Sequence, residues 1–345
     1  TSPPGGKTTP APRPRRVTPL KGTMPADRRS RIRGIPDDIP SRVACMSFSS
    51  WIELIASGLI TGGIYALVAL GLNLQYGLMR ILNIAHGEFL MVGAFITWMV
   101  AATFGLSPLW MIPVSFALLF GIGVAVHWLC FRRLTATSPN LDVFEARGLM
   151  VAFGLMFLVQ NAISWIWGGD LRGYDFLTQP FAIPLPGGQA QFAVNKLLVF
   201  GLALLFASAL IVLLRTTLLG KGVRALMQSP TGAQLMGIDT KRLHPLMFGI
   251  GLGLSGVAGC LLSMAYTISP SMGEPYTVTA LIVITLGGFG SMGGALAGGL
   301  LLGVIEAIGM HFTNPSLKAL LSYIVFIGVL LLRPEGLFSR KTRKA

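Results

Sequence analysis

Read along its length, the chain is a series of long apolar runs separated by short polar punctuation. A helix needs about 20 residues at about 1.5 Å rise to cross about 30 Å of hydrocarbon. On that measure the pattern predicts spans over about residues 52–72, 89–104, 106–130, 148–167, 196–214, 245–268, 295–312 and 317–332. A shorter apolar piece covers 276–288. Between them lie polar loops over 131–147 and 168–195, a long cationic loop over 215–244 and a turn over 269–275. The expected class is therefore all-α, a polytopic membrane protein of about eight or nine transmembrane helices with broken or re-entrant segments.

Composition turns the pattern into a class. Of 345 residues, 53% are hydrophobic and 12% charged, and mean hydropathy is +0.69, whereas an ordinary soluble domain is about 25% charged. A soluble core cannot absorb that much apolar chain. The 43 glycines suit helices that approach backbone to backbone in lipid.

The net charge of +14 would suit nucleic acid, but its placement argues against that partner. Residues 1–45 hold ten Lys/Arg against three Asp/Glu, and the remainder holds seventeen against ten, spread through loops between apolar runs. That is the positive-inside pattern. It puts the loop carrying Arg215, Lys221, Arg224, Lys241 and Arg242, and the basic tail from Arg333, in the cytoplasm. The balanced loop with Asp170, Arg172 and Asp175 points outward. Counting back through nine crossings puts the N-terminus outside, against its ten cations. Either that segment is not native, or one piece, 71–83 or 276–290, is re-entrant.

Residues 1–45 are rich in Pro, Arg, Ser and Thr without apolar period, and disorder is expected there. Met46-Ser47-Phe48-Ser49-Ser50-Trp51 looks like an ordinary start, so translation from Met46 is expected, with 1–45 a misannotated extension and 46–345 the transmembrane domain.

Enzymatic constellations are not found. Gly251-Leu252-Gly253-Leu254-Ser255-Gly256 spells a dinucleotide fingerprint but lies inside an apolar span, so it reads as helix packing. Gly220-Lys221 lacks the first glycine and the Ser/Thr of a phosphate loop, so this chain is not expected to hydrolyse ATP. Cys45, Cys130 and Cys260 are unpatterned, and His86, His127, His244 and His311 lack metal spacing, so no metal site is expected.

Three patterns carry a signal. The first is 71–93, whose Asn73, Gln75, Arg80, Asn83, His86 and Glu88 sit among four glycines in an apolar setting. Charge at membrane depth is expensive and so marks pathways. Asn83 could cap a helix whose early turns hold Glu88, or His86 and Glu88 could line a cavity. The second is the loop Thr217–Leu243, which reads as a short amphipathic helix pair broken at Ser229-Pro230 and closed at Gly237. Such a pair suits another protein's groove or the lipid surface. The third is Gly294, Gly298, Gly299 and Gly303, whose spacing lets helices touch within this chain or with a second subunit. Glu306, nearby, needs a partner. Glycine-interrupted segments in both halves, 71–93 and 287–303, suggest a duplicated architecture.

The run 62–74 with Asn83-Ile84-Ala85-His86-Gly87-Glu88, the loop 224–239, the run 286–294 and the ending 332–338 resemble, in order and spacing, permeases of branched-chain amino acid ABC importers, the LivH type. The resemblance implies an inner-membrane permease domain with a translocation pathway that includes Asn73, Tyr76, Asn83, His86, Glu88 and Glu306. It also implies a coupling loop that includes Arg224, Ala225, Gln228, Ala233, Leu235, Gly237 and Asp239. The implied partners are a second permease of the LivM type, two ATP-binding subunits that hold the nucleotide, and a periplasmic substrate-binding protein. Similar permeases serve urea, short amides and other amino acids. An ion-coupled secondary transporter is the alternative of another class.

Overall fold

A computed structural model describes residues 48–138, 140–185, 188–313, 317–333 and 336–337. The expectations of disorder over 1–45, of a start at Met46, and of a basic tail beyond 337 lie outside the described residues. Among the described residues, seven helices are long and apolar enough to cross a membrane: Phe48–Met79, His86–Phe104, Pro108–Thr135, Asp142–Trp167, Val194–Thr216, Thr240–Ala265 and Met292–Phe312. Lys318–Leu332 is a shorter apolar helix.

In chain order the helices are α1 (Phe48–Met79), α2 (His86–Phe104), α3 (Met111–Val126), α4 (Arg132–Thr137), α5 (Leu141–Trp167), α6 (Val194–Thr216), α7 (Leu218–Gln228), α8 (Pro230–Leu235), α9 (Thr240–Ala265), α10 (Gly273–Gly287), α11 (Met292–Phe312) and α12 (Lys318–Leu332). A π-helical turn, His127–Phe131, joins α3 to α4.

The core is built around α1, which runs unbroken for 32 residues and packs chiefly on α11 and α9. At about 1.5 Å per residue it is about 48 Å long. Glycines make the contacts possible. A Cβ on Gly62 would lie 2.7 Å from Gly299 O, and one on Gly299 2.6 Å from Ala66 Cα. Gly303 faces Gly58, Gly294 faces Gly287, and a Cβ on Gly298 would lie 3.0 Å from Val283 O. All four predicted packing glycines thus serve contacts within the chain. On the other side of α1, a Cβ on Gly71 would meet Gly251 O at 2.6 Å. The glycines of 71–93 therefore do not loosen α1: they admit its neighbours. Helix ends only at Met79, so 71–79 is not re-entrant, and the break is Arg80–Ala85, entered through Arg80 at φ 52.

Two loops are more ordered than their polarity suggests. The predicted 131–147 loop is mostly helix, ended at Thr137 and resumed at Leu141. Long cationic side chains such as Arg132 and Arg133 let a helix run past the hydrocarbon edge by snorkelling. Within 168–195, Pro180–Leu185 and Gly188–Ala193 form an antiparallel hairpin with Phe181 opposite Phe192. It leans on the start of α1, where Glu53 accepts the Gln191 backbone N–H.

The lower end of α1, the chain around Thr135–Asn140 and the α7–α8 loop surround one groove of ≈ 540 Å³. The cations of 132–147 and 215–242 flank it, which makes this end cytoplasmic by the positive-inside rule. Here α10, with 15 residues, spans about 22 Å and cannot cross alone.

Candidate functional site: two half-helices and a cytoplasmic elbow

After Arg80 the chain turns back into the bundle, and α2 starts at His86 beside the middle of α1. His86 Nε2 lies 3.1 Å from Val68 O, and Ser255 Oγ donates to His86 O at 2.9 Å. Asn83 and Ile84 precede the helix, whose N-cap is Ala85 without a side-chain bond. Asn83 is therefore not the cap: its Nδ2 donates to Gln75 Oε1 at 3.1 Å, and Gln75 Nε2 donates to Phe248 O at 3.3 Å. The cap comes from another helix. Gly87 N–H donates to Thr277 Oγ1 at 2.8 Å, and that hydroxyl donates to Ile84 O at 3.0 Å.

The favour is returned. Thr277 is in the first turns of α10, and α10 begins at Gly273 against Glu88, where a Cβ would sit 2.5 Å from Glu88 Cδ. Two helix N-termini thus meet inside the membrane: Thr277 of α10 caps α2, and Glu88 of α2 packs against the first residue of α10. Glu88 is fully buried, and no donor among the described residues reaches either carboxylate oxygen. It lies in the first turn of its own helix and at the first residue of the other, where both N-terminal dipoles favour a negative charge.

The remaining pathway candidates stand elsewhere. Buried Asn73 clasps the glycine turn between α10 and α11: Gly290 N–H donates to Asn73 Oδ1 at 2.8 Å, and Asn73 Nδ2 donates to Ser291 O at 3.2 Å. Gly288 (φ 88) and Gly290 (φ 78) adopt the left-handed backbone that glycine permits. Tyr76 stands 4.7 Å, ring to ring, from Phe289 in that turn. Glu306 lies on α11 in the outer half, where it accepts from Tyr65 Oη at 2.8 Å and from Ser322 Oγ, with Lys318 Nζ at 3.6 Å. The six residues therefore form three stations rather than one cavity. Gln75 was singled out with 71–93 but not as a pathway residue; Tyr65, Thr277, Lys318 and Ser322 were missed. Only Thr277 carried a local hint, a polar residue at the head of a short apolar piece.

The cytoplasmic elbow is built from caps. Thr217 Oγ1 accepts Gly220 N–H at 3.1 Å to start α7, and Ser229 Oγ accepts Gly232 N–H at 3.1 Å to start α8. Gly237 (φ 82) closes the pair, and Asp239 caps α9 through Lys241 N–H at 3.0 Å. Val223, Leu226 and Ala233 face inward and Ala225 is half-buried. Gln228 is exposed, as is Arg224, which folds back so that Nη1 donates to Leu214 O at 2.8 Å. Leu218 at 82%, and Leu235 and Met236 at 84% each, remain exposed to solvent. Met227 reaches the core, against Gly77 of α1 and 3.3 Å from the Cβ position of Gly290.

A helical bundle with two helix N-termini meeting at depth and a capped, apolar-tipped elbow on the cationic face defines a membrane transport protein. The chain matches the profile of the family described as branched-chain amino acid transport system, permease component, over residues 54–330, and it belongs to that family. It is 29% identical over 303 residues to the high-affinity branched-chain amino acid transport system permease protein LivH of Salmonella typhimurium, covering 85% of this chain and 97% of that protein. The same figures hold for LivH of Escherichia coli. The permease protein BraD of Pseudomonas aeruginosa is 28% identical over 308 residues, 84% of this chain and 96% of that protein. The chain is a multi-pass inner-membrane permease.

Proposed function

We propose that this permease passes leucine, isoleucine and valine inward as one half of an ATP-driven importer. Its companion is a second permease chain of the LivM type. A pair of ATP-binding subunits docks below and a periplasmic binding protein above. ATP is bound and split by the docked subunits, and this chain supplies no catalytic group. The observation that carries the reading is the elbow. Leu235 and Met236 project as exposed apolar side chains from a loop that buries Val223, Leu226 and Ala233, on the face flanked by Arg215, Lys221 and Lys241. Groove-binding helices present such anchors to a partner. Selection of a branched-chain substrate is supported by the names of the relatives and by the apolar character of the bundle.

Vesicles containing this chain with its companion permease, ATP-binding subunits and binding protein test it. Labelled leucine should accumulate on ATP addition, and accumulation should survive an ionophore that dissipates ion gradients. Uptake that collapses with the gradient, or that proceeds without ATP, would make the chain a secondary transporter.

A further inference from the structure

The outer half of the bundle holds a cavity of ≈ 180 Å³ between α1, α10, α11 and α12. That is room for a small molecule of amino-acid size. Its wall joins two opposite charges. Glu306 is 2% exposed, and a carboxylate offers about four lone-pair positions. Tyr65, Ser322 and Lys318 account for three of its approaches, which leaves one acceptor direction open. Lys318 is about two-fifths exposed, 3.6 Å from Glu306 and 5.5 Å from the Tyr65 ring centroid. Its ammonium has donors to spare. The rest of the wall is largely apolar or aromatic, including Val278, Ile282 and Tyr276.

We propose that this cavity binds a zwitterionic amino acid with an aliphatic side chain. The ligand's ammonium meets Glu306, its carboxylate meets Lys318, and its side chain lies on Val278 and Ile282. A plain cation entering here would be repelled by Lys318, and a plain anion by Glu306. Glu306 and Lys318 already offset each other at 3.6 Å, so an occupant with a single charge would upset a neutral pair, whereas one carrying both charges adds no net charge to a low-dielectric setting. Pro275 and Tyr276, in the first turn of α10, line the same cavity, and Gly273 of that turn rests on Glu88. An occupant therefore touches the half-helix whose other side forms the buried junction. This site rests on the transport reading, as a waypoint on the outer side of the path.

The test uses the full chain assembled with its companion permease and ATP-binding subunits in membrane vesicles, without binding protein. Cys45, Cys130 and Cys260 are replaced by alanine and Ala319→Cys, on the cavity wall, is labelled from outside with a small impermeant thiol reagent. Leucine at ten times its half-protecting concentration should slow labelling about tenfold. At the same concentration isoamylamine and isocaproate, which keep one charge each, should protect poorly. Lys318→Met should weaken protection by leucine about tenfold or more and leave that by isoamylamine no weaker. Glu306→Gln should do the converse with isocaproate.

The site is overturned if leucine gives no protection, if either one-charge analogue protects as well, or if Lys318→Met changes nothing. It is also overturned if the free cysteine does not react, since the cavity would then be closed. Protection here without ATP-driven uptake in vesicles that include the binding protein would sink the transport reading and keep the site; uptake there without protection here would do the reverse.

Discussion

Replacing Leu235 and Met236 together by serine isolates the elbow's docking role. Full burial of such a side chain stabilises by about 1.5–3 kcal/mol. At 84% exposure each, nearly all of that is still available, about 3–5 kcal/mol for the pair. Ordering two flexible side chains at an interface costs about 0.5–1.5 kcal/mol each, so about 2 kcal/mol net should remain. That converts to about thirtyfold in dissociation constant for the ATP-binding subunits.

The chain's own stability should barely move, because exposed substitutions stay within about 0.5 kcal/mol. The assay is titration of purified ATP-binding subunits onto the permease pair in nanodiscs, beside thermal unfolding of the variant. An unchanged dissociation constant with normal folding would refute the docking argument. A weakened complex accompanied by a lowered unfolding midpoint would mean that the two side chains belong to the fold instead. Protection of the tip from aqueous labelling in protein-free bilayers would identify a lipid-surface helix.

The other expectations follow from single contacts. Gly299→Leu must push α1 from α11, since a Cβ there would lie 2.6 Å from Ala66 Cα. Overpacking of this kind costs about 1–3 kcal/mol, to be read as a lower unfolding midpoint in detergent, and an unchanged midpoint would contradict the crossing. Thr277→Val leaves Gly87 N–H and Ile84 O without the hydroxyl they share, at about 1–3 kcal/mol. Thr277→Ser should restore stability and uptake, and equal loss in both variants would show that the methyl matters instead. Arg224→Glu removes the bond to Leu214 O and should lower leucine taken up per ATP split while membrane insertion, scored by fractionation, is retained.

How much of this could be read beforehand depended on sequence distance. Apolar run length located the spans, because crossing hydrocarbon is a local requirement. The caps at Ser229 and Asp239 were likewise local, which is why the elbow's break and its closure at Gly237 are as expected. Polar residues at depth were recognisable as costly, but what satisfies them was not. Asn73 finds Gly290 across 217 positions and Tyr65 finds Glu306 across 241. The glycine stripe 294–303 announced close approach without naming the partner, and that partner is α1 and α10 of the same chain. The hairpin 180–193 is not drawn into the core by its apolar side chains; Phe181 and Ile183 among them are exposed.

These long-range contacts single out α10. At its cytoplasmic end Gly287 packs on Gly294, and the following turn is gripped by Asn73 and touched by Met227 of the elbow. At its inner end Gly273 rests on Glu88 and Thr277 holds the start of α2. The helix between them is 15 residues of unbroken hydrogen bonding, so it is stiffer than the glycine turn below or the loop 266–272 above. A displacement of the elbow by a docked subunit would reach Gly290 and Gly77 through one methionine. The half-helix would then carry it to the junction where Glu88 has no hydrogen-bond donor to hold it among the described residues. Glu88 adds no hydrogen bond of its own to that junction, so what must break for the helices to part is the pair of Thr277 hydrogen bonds to Gly87 N–H and Ile84 O. The polar residues of 71–93 are thus concentrated where the starts of α2 and the half-helix α10 must both meet and part.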